Sequence, residues 1–183
     1  MLASVQAVNS VAAAVSGADQ IDVGMVVMRG CIGLFLAYHG YNKIFGGGGL
    51  NGTASWFGSI GMKWPALQAR LAAFTEIGAG LALAIGFLTP VAGAGVIGIM
   101  IVAIVVAHAK VGFFVFLPNQ GWEYCATIAA IAAAIGIIGP GRISVDHALG
   151  LHFDGWTGAL VTLAVGVGSA GLQLGSSYRP MKS

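Results

Sequence analysis

Four ionisable side chains stand where an apolar sequence should not carry them. In MRGCIGLFLAYHGYNKIFGGGG, residues 28–49, Arg29, His39 and Lys43 interrupt what otherwise reads as a membrane span. A single acid, Glu76, falls near the middle of the next apolar run. At 100° per residue, Arg29, Leu36, His39 and Lys43 lie within an arc of about 80°, so the three polar groups share one helix face. A lone charge at the bilayer centre costs about 2.5–3.5 kcal/mol on insertion scales, and pairing lowers that cost. At ~1.5 Å per residue, Glu76 lies between the depths of Arg29 and His39. Its own face carries Ala72, Gly80 and Ala84, which let another helix come close. The pattern predicts a buried network in which Glu76 pairs with Arg29 and His39 is the third member. Such a network either holds two helices together or does chemistry, namely proton transfer or binding of a quinone or substrate.

The secondary candidates are His108, at the end of the third apolar run on the side of His39, and Glu123, in QGWEYC at 120–125. An acid in a first helical turn beside Trp122 and Tyr124 also serves as a dipole partner in an aromatic anchor. Lys43 sits where the first span meets water, and snorkelling accounts for it equally well. His147 and His152, with Asp146 and Asp154, read as a solvated loop rather than a metal site, and no metal is expected. The glycine-rich stretch after Lys43 lacks the Gly-Lys-Ser/Thr ending of a phosphate loop. Cys31 and Cys125 form no C-x-x-C and are expected at different depths, as buried packing residues without a disulfide.

These groups must be positioned by membrane helices. Of the 183 residues, 57% are hydrophobic and only 8% charged, and mean hydropathy is +0.90, which places the chain in the membrane class. The net charge of +2 is too small to imply a nucleic-acid partner. Five apolar segments are expected to cross the bilayer: 23–41, 66–88, 91–109, 122–138 and 157–174. Each is close to the ~20 residues that a crossing helix needs. Thr89-Pro90 breaks the second from the third, and GPGR at 139–142 ends the fourth. Residues 1–22 carry no signal peptide pattern and read as an interfacial helix or a disordered segment. Trp56, Phe57, Ile60 and Trp64 mark an interfacial or re-entrant segment between the first two spans. Small residues recur every fourth position at 78–86, at 95–107 with Ile99 interrupting, at 126–134 and at 158–170, the spacing of close helix packing. Lys43, Lys63, Arg70, Lys110, Arg179 and Lys182 fall on one side and Arg142 on the other, which puts the N-terminus outside and the C-terminus in the cytoplasm.

A set of short motifs resembles the DoxX family: Arg29-Gly30, His39-Gly40 with Lys43, E-x-G at 76–78, GFLTP at 86–90, GWEY at 121–124 and GPGRISVD at 139–146. The resemblance covers about residues 23–146. It implies an all-α, polytopic bundle with a four-helix core at 23–146, to which residues 147–183 add a loop, a fifth transmembrane helix and a tail. It also implies a membrane protein of a prokaryotic cytoplasmic membrane associated with quinone-linked electron transfer. The expected partners are lipid and other subunits of a redox complex, with a quinone contact but no tightly bound cofactor. The function expected first is an accessory, non-catalytic subunit of a respiratory or other quinone-linked complex. Two alternatives stand beside it: the membrane subunit of a thiosulfate:quinone oxidoreductase, and a small proton or solute transporter.

Overall fold

The computed structural model describes residues 2–153 and 155–180, with side chains from residue 19 onward. Asp154 and Lys182 therefore lie outside the described residues. The fold is an all-α membrane helix bundle, with no strand among the described residues. Helix α1 runs from Leu2 to Phe45 without a break. Residues 2–22 contain no proline and only one glycine, Gly17, so nothing there interrupts the helix. Four glycines at 46–49 end it, two of them, Gly48 and Gly49, at positive φ.

The chain then folds back through a short helix, α2 (Gly49–Ser59), into α3 (Pro65–Ile85). Gly86, at φ 68°, caps α3, with Phe87 N–H donating to the Ala82 carbonyl. Helix α4 (Thr89–Ala103) passes into a π-helical turn, Ile104–His108. An irregular strap of residues 109–122 leads to α5 (Glu123–Ile138). A single turn, α6 (Val145–Ala148), precedes α7 (Gly155–Ser177).

Among the described residues, three helical stretches are long and apolar enough to cross a membrane: Asp19–Phe45, Thr89–His108 and Gly155–Ser177. The other two expected spans depart from the simple pattern for different reasons. Helix α3 has 21 residues but carries Gln68, Arg70 and Glu76, and α5 is apolar but only 16 residues long.

Helix α1 packs along α3, and α7 lies against α4 and α5. The α1–α3 contact is a backbone approach. A Cβ on Gly80 would sit 2.5 Å from the Gly33 carbonyl oxygen and 2.7 Å from the Ala37 nitrogen. One on Gly40 would meet the Ala73 carbonyl at 2.6 Å. Of the predicted small-residue stripes, that of α7 is the packing face: Gly158, Thr162, Gly166 and Ala170 are all buried. The stripes of α3 and α5 are not. Gly78 has open space around it, and α5 buries Cys125, Ile128, Ala132 and Ile135 instead of Ala126, Ala130 and Ala134. Cys125 is buried as expected, but Cys31 faces outward, and both thiols are free.

Candidate functional site

The four residues expected to form one network separate into two places. The side chain of Lys43 meets Glu76, with Nζ 2.8 Å from Oε1 and 2.6 Å from Oε2. Arg29, expected to be the partner of Glu76, lies elsewhere. The reason is the register of α1 on α3. Gly33 faces Gly80 and Gly40 faces Ala73, so Glu76 is level with the turn before Lys43. Helix side chains also lean toward their own N-terminus. In these antiparallel helices Glu76 leans toward the Lys43 end, Lys43 leans back to meet it, and Arg29 leans away.

Arg29 is 1% exposed and belongs to a junction at the opposite end of the bundle. Its Nη2 donates to the Ile143 carbonyl at 2.6 Å, while Nε and Nη1 find no acceptor among the described residues. The guanidinium presses on Gly86, where any Cβ would collide with it. The neighbouring acid is Asp146, fully buried, whose carboxylate accepts from Leu88 N–H at 2.7 Å and Thr89 N–H at 2.8 Å. Those bonds cap α4 and hold Leu88 at φ 45°, a conformation that a bulky side chain seldom adopts. Asp146 is thus committed to the backbone rather than to a metal. No three His, Cys, Asp or Glu side chains converge as a metal site among the described residues. Just above this junction, Asp22 grips Arg142 through both its backbone N–H (2.8 Å) and its Nε, and Asp19 takes Nη2 at 2.5 Å. These acids hold the Arg142 guanidinium above its usual pKa, so it stays charged.

His39, Lys43 and Glu76 line a cavity of ≈ 260 Å³ at the other end. His108 joins them, placed there by the π-helical turn; such turns recur at functional sites. Its Nδ1 donates to the Gln120 carbonyl at 2.7 Å, tying the strap to the end of α4. Glu123 stays out of the cavity: its Oε2 accepts from Val115 N–H at 3.1 Å and organises the strap. The cavity takes apolar walls from Leu36, Ile99, Met100 and Val102, and an aromatic side from Trp56 and Phe57 of α2.

Sequence reasoning passed over two contributors. Tyr124, read as an anchor, puts its hydroxyl 3.3 Å from His39 Nε2. Gln173 of α7 reaches the cavity and donates to Gln68 Oε1 of α3 at 2.8 Å. The signal for Tyr124 was its place in the GWEY motif; Gln173 carried none beyond being polar in a span. Chemically, the cavity offers a matched charge pair, a phenol–imidazole pair and a second imidazole at one end of an apolar chamber. That set can donate and accept hydrogen bonds and exchange protons, and it holds no unmatched charge.

No curated protein and no solved structure matches the chain. The DoxX family model matches residues 24–109, a stretch that holds the Lys43–Glu76 pair, His39, His108 and most of the cavity wall but stops short of Tyr124. That match, which spans just under half of the chain, and the apolar helices support a membrane protein of the DoxX family.

Proposed function

We propose that the protein is an accessory membrane subunit of a quinone-linked electron-transfer complex, and that the cavity between α1, α3, α4 and α5 borders a quinone headgroup. The observation that carries this reading is the cavity's composition. A quinone needs an apolar slot for its ring and tail and hydrogen-bond donors for its oxygens, and the cavity has both. At ≈ 260 Å³ it is near the small end of ligand pockets, which start at about 300 Å³, so it suits one headgroup. When bound, a quinone supplies two-electron, two-proton redox chemistry, its electrons coming from the redox centre of a partner subunit. This chain's own residues would bind and orient. His39 and Tyr124 present a proton-bearing pair to a carbonyl oxygen, Glu76 fixes Lys43 beside it, and the apolar walls exclude water.

The sulfur-oxyanion alternative draws less support. It relied on Arg29 and Lys43 attracting an anion, but Arg29 is remote and the charge of Lys43 is matched by Glu76. We place the basic end of the bundle, with Lys43, Lys63, Arg70, Lys110 and Arg179, in the cytoplasm of a prokaryotic cell.

The test has two arms. Purification from native membranes in mild detergent should bring down a subunit carrying a redox cofactor. A short-chain quinone should quench tryptophan fluorescence saturably, through Trp56 at the cavity, and Ala103→Phe, which fills the cavity, should abolish that quenching. A monomer without a redox partner, together with no saturable quenching, would overturn the proposal.

A further inference from the structure

The cavity is closed unequally on its different sides. Helices α1 and α5 both border it, yet they touch each other at few points, while α1 packs along α3 and α5 against α4 and α7. One polar contact bridges the gap, from the Tyr124 hydroxyl to His39 Nε2 at 3.3 Å, with the rings 6.2 Å apart and tilted by 44°. Both side chains line the cavity, and both are exposed on the outer surface of the bundle, Tyr124 by 42%. His39 lies six residues before the end of α1, about 9 Å at the helical rise, and Tyr124 is the second residue of α5. With the 27-residue stretch Asp19–Phe45 taken as the crossing segment, that depth falls near the boundary between headgroups and acyl chains.

The end of the cavity toward α2 and the strap is closed more firmly. Trp56 and Phe57 of α2 cover one part. The strap covers another, knotted by Gly121 N–H to the Phe114 carbonyl (3.0 Å), Trp122 N–H to the Gly112 carbonyl (3.1 Å) and the His108–Gln120 bond. On its outside, Phe113, Phe114 and Phe116 form an exposed aromatic cluster. An irregular segment with its backbone bonded internally and phenylalanines outward suits the membrane interface, not bulk water. The route along the bundle axis is therefore stoppered by an apolar plug, and the route from the side by one neutral hydrogen bond.

We infer that the cavity is loaded sideways from the bilayer, through the cleft between α1 and α5, and that the His39–Tyr124 hydrogen bond is the latch. The ligand class follows from the route and the lining. It is a membrane-partitioned amphiphile with an apolar body and an uncharged, hydrogen-bonding head, because the charge of Lys43 is already matched. The inference rests on the proposal above only in taking the cavity as a ligand site; it does not depend on the ligand being a quinone.

Cys125 is a built-in reporter, since it is buried, lines the cavity, and becomes the only thiol once Cys31 is replaced. Cys31→Ala protein in permeabilised liposomes is treated with N-phenylmaleimide, which partitions into bilayers, or with a sulfonated stilbene maleimide, which does not. Each rate is normalised to that of the denatured protein. The lipid-soluble reagent should label Cys125 and the sulfonated one should not. Tyr124→Phe, which removes only the hydroxyl, should speed labelling about fivefold, as expected for losing one neutral hydrogen bond. His39→Leu should do the same, and His39→Gln, which keeps a hydrogen-bonding group, should stay within roughly twofold of the parent. Equal labelling by the sulfonated reagent, an unchanged rate in both Tyr124→Phe and His39→Leu, or an unlabelled Cys125 in every variant would overturn the inference. None of these arms contains a quinone, so a failed quinone assay leaves them standing. Intact quinone binding with an unmoved labelling rate would overturn this inference and leave the proposed quinone site standing.

Discussion

Lys43 and Glu76 form the charge pair of the cavity, with the ammonium within 2.8 Å of both carboxylate oxygens and the side chains 21% and 7% exposed. The pair joins α1 to α3 and leaves neither charge unmatched. Its removal should therefore be strongly non-additive. Lys43→Met and Glu76→Leu alone each strand a partly buried charge, and each should cost about 3–5 kcal/mol. The double variant strands none and should recover most of the loss. Thermal unfolding of the three variants in detergent measures the cycle; additive losses would mean that the pair contributes no coupling.

Asp146 governs the other end. Asp146→Ala leaves the N–H groups of Leu88 and Thr89 without their acceptor and removes the charge nearest Arg29. One buried and one partly buried donor left unsatisfied, at up to about 1–3 kcal/mol each, predict a loss large enough to deplete the folded protein. Asp146→Asn keeps one acceptor oxygen and should cost about half as much. Yield of monodisperse protein and its melting temperature report the order of severity: wild type, Asn, Ala.

Gly80 and Gly78 give a paired test of the helix contact. Gly80→Val would drive its side chain into the Gly33 carbonyl and the Ala37 amide, forcing α1 off α3, and should destabilise by about 1–3 kcal/mol or more. Gly78→Val, two residues away on the outward face with nothing within 4 Å, should fold normally. Equal behaviour of the two would contradict the packing described.

Arg142→Ala removes the guanidinium part of the clasp that ties the 139–144 loop to α1 through Asp19 and Asp22, leaving only the bond from its backbone N–H to Asp22. Hydrogen exchange should quicken at residues 139–144 while the strap and α2 at the cavity end keep their protection. Faster exchange at both ends would show that the bundle opens as a single unit.

Three of the five expected spans and the helix break at Thr89-Pro90 could be read from the sequence because apolar runs, Pro and Gly act locally. The helix wheel puts Arg29, His39 and Lys43 within one arc of α1, of which the structure buries Arg29 and leaves His39 exposed. It failed to choose the partner of Glu76, because a wheel gives azimuth but not the register between helices. That register is set by Gly33 against Gly80, a contact between residues 47 positions apart. The family-like motifs are scattered along the chain but sort into two spatial groups. Arg29, GFLTP and GPGRISVD meet at the Asp146 junction, while His39-Gly40, Lys43, E-x-G and GWEY meet at the cavity. Only the folded path shows that the first group caps a helix and the second encloses a chamber.

Residues 61–63 and 177–179 stitch the α2–α3 corner to the end of α7, through Lys63 N–H to the Ser177 carbonyl (2.7 Å), Arg179 N–H to the Gly61 carbonyl (2.9 Å) and the facing of Met62 with Tyr178. Met62 and Gln173 both reach the cavity. During translation the corner therefore emerges long before its clamp, with more than half the chain still to be made. The cavity wall is complete only once α7 joins the bundle, because a chain that ends before α7 lacks Gln173 and the strand-like clamp at residues 177–179.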